Sequence, residues 1–220
     1  MNWFRNVKPV CLVTYTFIFL SLFMILSGAL ASTNLSSLDL AIAKTIIHNR
    51  HSNGIIFFKI LTNLLSPVTL SALSLLLVII FIKHREFFLA HLLLLSMTLG
   101  NFSFLSIKYV SQRIRPELIV DQISGFSYPS GHATIAALFF SFLIGAFCYH
   151  YHKVNLHYFL IIGSVLSATL TGFSRIYLGN HWFSDVIGGY LLGIFILLFT
   201  NLNIRIAMYI GKKENDNRRI

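Results

Sequence analysis

Six apolar runs, each near the ~20 residues that a helix needs to cross a hydrocarbon core, constrain this chain more than any other feature. They lie near Cys11–Ala31, Leu64–Ile82, Phe87–Ile107, Ala133–Tyr149, Leu156–Phe173 and Val186–Leu202. In lipid, every backbone amide and carbonyl must find its partner within the chain, which leaves helices or closed barrels. Runs of this length are helices. The expected fold is therefore all-α, a polytopic membrane protein with six transmembrane helices in one bundle and a single domain over residues 1–220. Charged residues make up 11% of the chain, against roughly 25% in soluble domains, and the mean hydropathy is +0.76.

The formal charge of +10 has a membrane explanation. The basic residues are scattered between apolar runs and form no stripe for nucleic acid, so the expected partner is the bilayer. With both termini inside, the inner loops receive Arg5, Lys8, Lys83, Arg85, Lys153, Arg205, Lys212, Lys213, Arg218 and Arg219. The outer loops receive Lys44, Arg50, Lys59, Lys108, Arg113, Arg115 and Arg175. Lys108, Arg115 and Arg175 sit in polar clusters with their own explanation. Without them the basic excess is inside, which predicts cytoplasmic termini. Arg5 and Lys8 precede the first run, and Ala29-Leu30-Ala31 resembles a signal-peptidase site. The run is longer than the usual ~7–15-residue signal core, so it is expected to stay as an anchor. Cys11 and Cys148 fall in apolar runs and read as small buried hydrophobes.

Between the first two runs, Leu35, Leu38, Ile42 and Ile46 recur at helical spacing, with Asp39 and Lys44 off that face. This predicts a short interfacial helix, capped by Ser36 or Ser37. It either packs passively on the bundle or guides substrate.

Three polar clusters interrupt the apolar pattern: Lys108-x6-Arg115-Pro116, Pro129-Ser130-Gly131-His132, and Ser174-Arg175-x5-His181-x3-Asp185. Ionisable groups beside a bilayer core are costly, and their default reading is functional. The first follows span three, the second opens span four, and the third bridges spans five and six, so all emerge on the same face. His181 and Asp185 share a helix face at i,i+4. A carboxylate on Nδ1 would leave Nε2 free for attack. Alone, that pair is as well explained by a structural hydrogen bond. Arg175 offers a planar guanidinium suited to two phosphate oxygens. Ser130 is placed to cap span four, Gly131 lets backbone approach an anion, and His132 could exchange a proton with a leaving oxygen. Lys108 and Arg115 lie about two helical turns apart, on one face if the helix continues until Pro116 stops it.

In order and spacing, Lys-x6-Arg-Pro, Pro-Ser-Gly-His and Ser-Arg-x5-His-x3-Asp resemble the three-part signature of the type 2 phosphatidic acid phosphatase family. The resemblance implies a lipid phosphatase with His181 as nucleophile, Asp185 orienting it, and His132 serving the leaving group and then the hydrolytic water. It implies that Lys108, Arg115, Ser130, Gly131 and Arg175 bind the phosphoryl group, with no metal and no other cofactor. Phosphoryl transfer is largely positioning and charge neutralisation, and three cations can do this in place of magnesium. A metal held by His132, His181 and Asp185 would be repelled by those cations.

Many relatives follow the first motif with another basic residue. Here Glu117-Leu118 stands there, and Asp121 lies nearby, which bears on head-group preference. His150, His152 and His157 read as solvated interfacial imidazoles rather than a metal site. Trp182 and Tyr190 belong to an aromatic belt, or Trp182 lines a lipid entrance. Gly188, Gly189 and Gly193 are expected to allow close helix packing.

The expected substrates are undecaprenyl pyrophosphate first, then phosphatidylglycerol phosphate, phosphatidic acid or a lipid A phosphate. The site is expected on the outer face of the cytoplasmic membrane, periplasmic or extracellular. Phosphotransfer to an alcohol and a non-enzymatic lipid transporter or scaffold are the rival readings.

Overall fold

The computed structural model describes residues 4, 7–117, 120, 124–147 and 154–217, without the side chains of 154–157 and 215. Cys148, His150, His152, Asp121, Leu118, the side chain of His157, and the basic residues Arg5, Lys153, Arg218 and Arg219 lie outside the described residues. The helices are α1 (Pro9–Ala29), α2 (Thr33–His48), α3 (Ser52–Leu64), α4 (Pro67–Lys83), α5 (Phe87–Ser111), α6 (Gly131–Phe147), α7 (Val154–Tyr177) and α8 (Phe183–Asn217).

Local chemistry sets several of these boundaries. Pro9 and Pro67 open α1 and α4, where a missing N–H costs nothing. The Ser66 hydroxyl accepts from the Thr69 amide at 3.1 Å. That Ser-Pro start splits an apolar stretch over 52–83 into α3 and α4 at Leu65 and Ser66. The expected second span, beginning at Leu64, thus falls within a longer apolar stretch whose second helix starts at Pro67, and α3 before it was not expected. In α2 the cap is Ser32, which accepts from the Leu35 amide at 3.3 Å. Ser36 and Ser37, the expected caps, instead donate to carbonyls of the preceding turn.

Among the described residues, five helical stretches rather than the expected six are long and apolar enough to cross a membrane: residues 9–29, 52–83, 87–111, 158–177 and 183–214. The expected fourth span is α6, whose 17 described residues fall below that length. The sixth runs well past Leu202, since α8 continues for 35 residues to Asn217.

Helix α6 is the centre of the bundle. It packs against α5, α7 and α8, and Ile135, Leu138 and Phe142 are fully buried. Small residues make this contact close. A Cβ on Gly189 would come within 2.7 Å of the Ser130 carbonyl, and one on Gly193 would strike the Thr134 carbonyl. Tight packing at these glycines is what the sequence led us to expect. Large apolar side chains face outward along α1, α4, α5 and α7, including Phe17, Ile79, Phe102 and Ile162. The protein thus has the apolar exterior of a membrane protein, with its buried polar side chains concentrated at one end.

Candidate active site

All three polar clusters meet at that end. Lys108 lies in the last turn of α5, Ser130 to His132 open α6, Arg175 lies in the last turn of α7, and His181 and Asp185 flank the start of α8. The expected helical route from Lys108 to Arg115 is not taken. Helix α5 stops at Ser111, because Gln112 adopts a left-handed conformation at φ 48°. The chain turns back, and the return strand of loop satisfies the exposed groups. The Ser127 amide donates to the Arg113 carbonyl at 2.8 Å, and the Ser111 hydroxyl donates to the Tyr128 carbonyl at 2.9 Å. Lys108 and Arg115 are brought together through that loop. Lys108 Nζ donates to the Phe126 and Ser127 carbonyls at 2.8 and 3.1 Å, and Arg115 Nη2 donates to Phe126 at 3.1 Å.

Arg115 also donates to the Gly125 carbonyl (2.9 Å) and to the Asn180 carbonyl (2.6 Å), and its Nη1 lies 3.3 Å from His181 Nε2. A guanidinium only donates, so Nε2 presents its lone pair and the ring proton belongs on Nδ1. That nitrogen lies 3.4 Å from Asp185 Oδ2, close enough for an ion pair but not aligned as a hydrogen bond. Such contacts often tighten only when substrate arrives. Burial, then the positive charges of Lys108, Arg175 and Arg115, hold the His181 imidazole well below its ordinary value of 6.5. The imidazole is therefore favoured in its neutral form.

Ser130 stands at the cap position of α6, where its carbonyl accepts from the Thr134 amide at 2.9 Å. Its hydroxyl does not cap. It is buried and has no partner among the described residues, which is costly for a polar atom. Side-chain capping therefore does not account for the Ser130 hydroxyl. His132, half-buried, stands one residue inside α6, within charge–charge range of Arg175, His181, Lys108 and Arg115. Arg175 is 5% exposed and donates to the Thr62 hydroxyl of α3 at 2.8 Å.

Sequence reasoning missed four members of this assembly: Thr62, Arg113, Asp39 and Ser184. Arg113 Nη1 donates to Asp185 Oδ1 (2.6 Å) and Ser184 Oγ (2.7 Å), and its Nη2 donates to Asp39 Oδ2 (2.7 Å). Asp39 also accepts from the Ser184 amide (2.9 Å) and hydroxyl (2.5 Å). Instead of facing away from the bundle, Asp39 is 1% exposed, while Leu38 faces outward. The signal was present: a lone acid in an apolar helix, and one more arginine than the motif needs.

Beside Arg115 opens a cavity of about 390 Å³ between α2 and the 114–117 segment. Leu40, Ala43, Ile47 and Ile114 make its apolar wall, and Lys44, Glu117 and Trp182 add polar edges. Trp182 is thus a cavity-lining residue, fixed by its indole N–H donating to the Ile114 carbonyl at 2.9 Å.

The sequence profile of the PAP2 superfamily matches residues 89–208, which include every one of the three clusters. The chain belongs to the PAP2 superfamily. Across that superfamily it is 32% identical to phosphatidylglycerophosphatase B of Bacillus subtilis (strain 168) over 201 residues, covering 86% of this chain and 91% of that protein. It is 34% identical to an undecaprenyl-diphosphatase of Sulfolobus acidocaldarius over 96 residues, 40% of this chain and 42% of that one. Its fold matches the crystal structure of a transmembrane PAP2-type phosphatidylglycerolphosphate phosphatase from Bacillus subtilis. The TM-score is 0.72 at 28% identity, over 88% of this chain and 94% of that chain. As a PAP2 member the protein is a membrane-embedded lipid phosphatase, a hydrolase.

Proposed function

We propose that the protein removes the terminal phosphate of phosphatidylglycerol phosphate at the outer face of the cytoplasmic membrane, through a phosphohistidine on His181. The observation that carries this reading is the meeting of Lys108, Arg115, Arg175 and the Ser130 hydroxyl, which has no partner among the described residues, around a neutral His181. Three cations and a buried donor suit a tetrahedral dianion, and its arrival would displace Arg115 Nη1 from the Nε2 lone pair.

The reaction then runs in two displacements. Nε2 of His181 forms a bond to phosphorus as the bond from phosphorus to the lipid oxygen breaks, and His132, which takes up a proton as the charge of the bound phosphate offsets the surrounding cations, passes that proton to the leaving oxygen. Asp185 accepts a hydrogen bond from the Nδ1–H and steadies the positive charge that develops on the ring. Water next attacks phosphorus and gives its proton to His132, and the N–P bond breaks. Inorganic phosphate leaves with both histidines restored. Lys108, Arg115 and Arg175 neutralise the phosphoryl oxygens throughout, the service that a metal ion gives elsewhere. A divalent cation placed among them would be repelled, so the reaction is metal-independent.

Substrate preference rests on the relative aligned along nearly the whole chain, which is named for phosphatidylglycerophosphate. The half-apolar cavity beside Arg115 suits the part of a lipid next to its phosphate. Undecaprenyl pyrophosphate is the second reading, favoured by the similarity to an undecaprenyl-diphosphatase. The orientation follows the inside excess of basic residues. Arg205 Nη1 donates to the Val7 carbonyl at 2.7 Å, which holds the start of α1 and the far part of α8 together, away from the site.

The test is release of inorganic phosphate by purified protein in detergent, from phosphatidylglycerol phosphate, undecaprenyl pyrophosphate and phosphatidic acid, with chelator present. The highest kcat/KM is expected for the first of these, unaffected by chelator. Activity restored only by a divalent ion would contradict the mechanism, and preference for the pyrophosphate would favour the second reading.

A further inference from the structure

We propose that Asp39, through Arg113, sets the electrostatic strength of the His181–Asp185 pair, and that both are positioning residues for the reaction. The inference rests on His181 being the nucleophile. It concerns residues outside the three polar clusters, on α2 and on the turn after α5.

The argument begins with charge. Asp185 is fully buried, and its Oδ1 is paired with Arg113 at 2.6 Å. A guanidinium devoted to that carboxylate would cancel the negative charge that His181 needs. Arg113 is not devoted to it. The opposite nitrogen is held by Asp39 at 2.7 Å, and Asp39 is almost as buried. Two carboxylates thus share one cation, and the trio keeps a net charge of one negative in a site where charges are weakly screened.

That residual charge lies beside His181. Asp185 Oδ2, the oxygen not used by Arg113, accepts from the Trp182 amide at 2.9 Å and faces His181 Nδ1 at 3.4 Å. When Nε2 bonds to phosphorus, the ring still carries its Nδ1 proton and becomes positive. Excess negative charge on the Asp185 side stabilises that state and has less to act on in the neutral ring, so its effect is on the transition state.

Geometry adds a second component. Ser184, next to Asp185 in the chain, is bonded to Asp39 through both its amide and its hydroxyl. Arg113 lies 5.8 Å over the Trp182 ring, the residue following His181. Asp39 and Arg113 therefore grip both neighbours of the reacting pair, and α2 is tied to the first turn of α8.

The test uses the full-length protein in detergent, with phosphatidylglycerol phosphate and undecaprenyl pyrophosphate as probes. Asp39→Asn is expected to lower kcat by about 10- to 100-fold while KM changes less than about threefold. In an Asp185→Asn background the same change is expected to have almost no further effect, because the residue it acts through is gone. Asp39→Asn/Arg113→Gln, which removes one charge of each sign, is expected to recover kcat relative to Asp39→Asn. A residue serving only the fold would give a double variant worse than the single. If Asp39→Asn does not fold, Asp39→Glu replaces it and is expected to retain most of the wild-type kcat. Histidine ¹⁵N spectra give an activity-independent readout: the wild type should hold the His181 proton on Nδ1, and Asp39→Asn should shift it toward Nε2. Wild-type kcat in Asp39→Asn, an undiminished loss in the Asp185→Asn background, or an unchanged tautomer would overturn the proposal. A wild type that releases no phosphate from either lipid defeats the proposed function instead, and the spectra still decide this point.

Discussion

The amide of Ser130 donates to the main-chain carbonyl of Asp185 at 3.0 Å. The second and third polar clusters are thus joined by backbone, and the site is held in shape before any phosphate enters. The first cluster is joined to the third by Arg115, which bonds the Asn180 carbonyl. A site assembled from main-chain contacts of this kind has little reorganisation left to do at the moment of reaction, which is the condition for strong electrostatic catalysis.

The Ser130 hydroxyl gives a prediction that separates binding from capping. Loss of a true side-chain cap costs about 0.5–2 kcal/mol of stability. Since this hydroxyl is buried without a partner among the described residues, Ser130→Ala should leave the melting temperature unchanged or slightly higher. Loss of one hydrogen bond to a charged phosphate should lower kcat/KM by about tenfold, corresponding to ~1.5 kcal/mol. Thermal melts and lipid kinetics on the same preparation check both halves.

Gly189 tests the contact between helices. A Cβ there would lie 2.7 Å from the Ser130 carbonyl and 2.9 Å from Ala133 Cβ, and the first of these is backbone that cannot swing aside. Gly189→Ala should destabilise the protein by about 1–3 kcal/mol through overpacking. It should also lower kcat, because the group displaced is the main chain of Ser130, whose amide bonds the Asp185 carbonyl. Gly163, with open space around it, should accept the same change with neither effect.

His181 gives a pH prediction. Its imidazole is held well below its ordinary value in the folded protein, by burial and then by Lys108, Arg175 and Arg115. Below about pH 6.5 the unfolded chain takes up a proton at this position while the folded chain does not. Unfolding therefore gains as pH falls through that value, and this contribution to stability is present above it and lost below it. Between pH 8 and 5.5 the wild type should lose more thermal stability than His181→Gln, and equal slopes would contradict the assignment.

How much of this was legible in the sequence follows from what each signal depends on. Apolar runs and the three clusters are local patterns, and they located the helices and the residues that meet. The path between Lys108 and Arg115 was not legible, since it depends on Gln112 turning left-handed and on hydrogen bonds to residues 125–128, which lie across a loop. Asp39 was misplaced for a related reason. Apolar spacing marked Leu38 for burial, but Arg113 supplies a buried partner that makes Asp39 the better inward residue. The break before α4 could have been read from Ser66-Pro67, a start signal inside an apolar run. The far end of α8 could not, because hydropathy fades after Leu202 while helical backbone continues to Asn217.

The most direct test of the account is to identify the phosphorylated residue. Protein mixed with phosphatidylglycerol phosphate or undecaprenyl pyrophosphate would be stopped within milliseconds in alkaline denaturant, which preserves phosphohistidine, and mapped by peptide mass spectrometry. The account predicts phosphate on His181, more of it in His132→Ala turning over a substrate with a good leaving group, and none in His181→Ala. Phosphate on His132, or full turnover by His181→Ala, would contradict it.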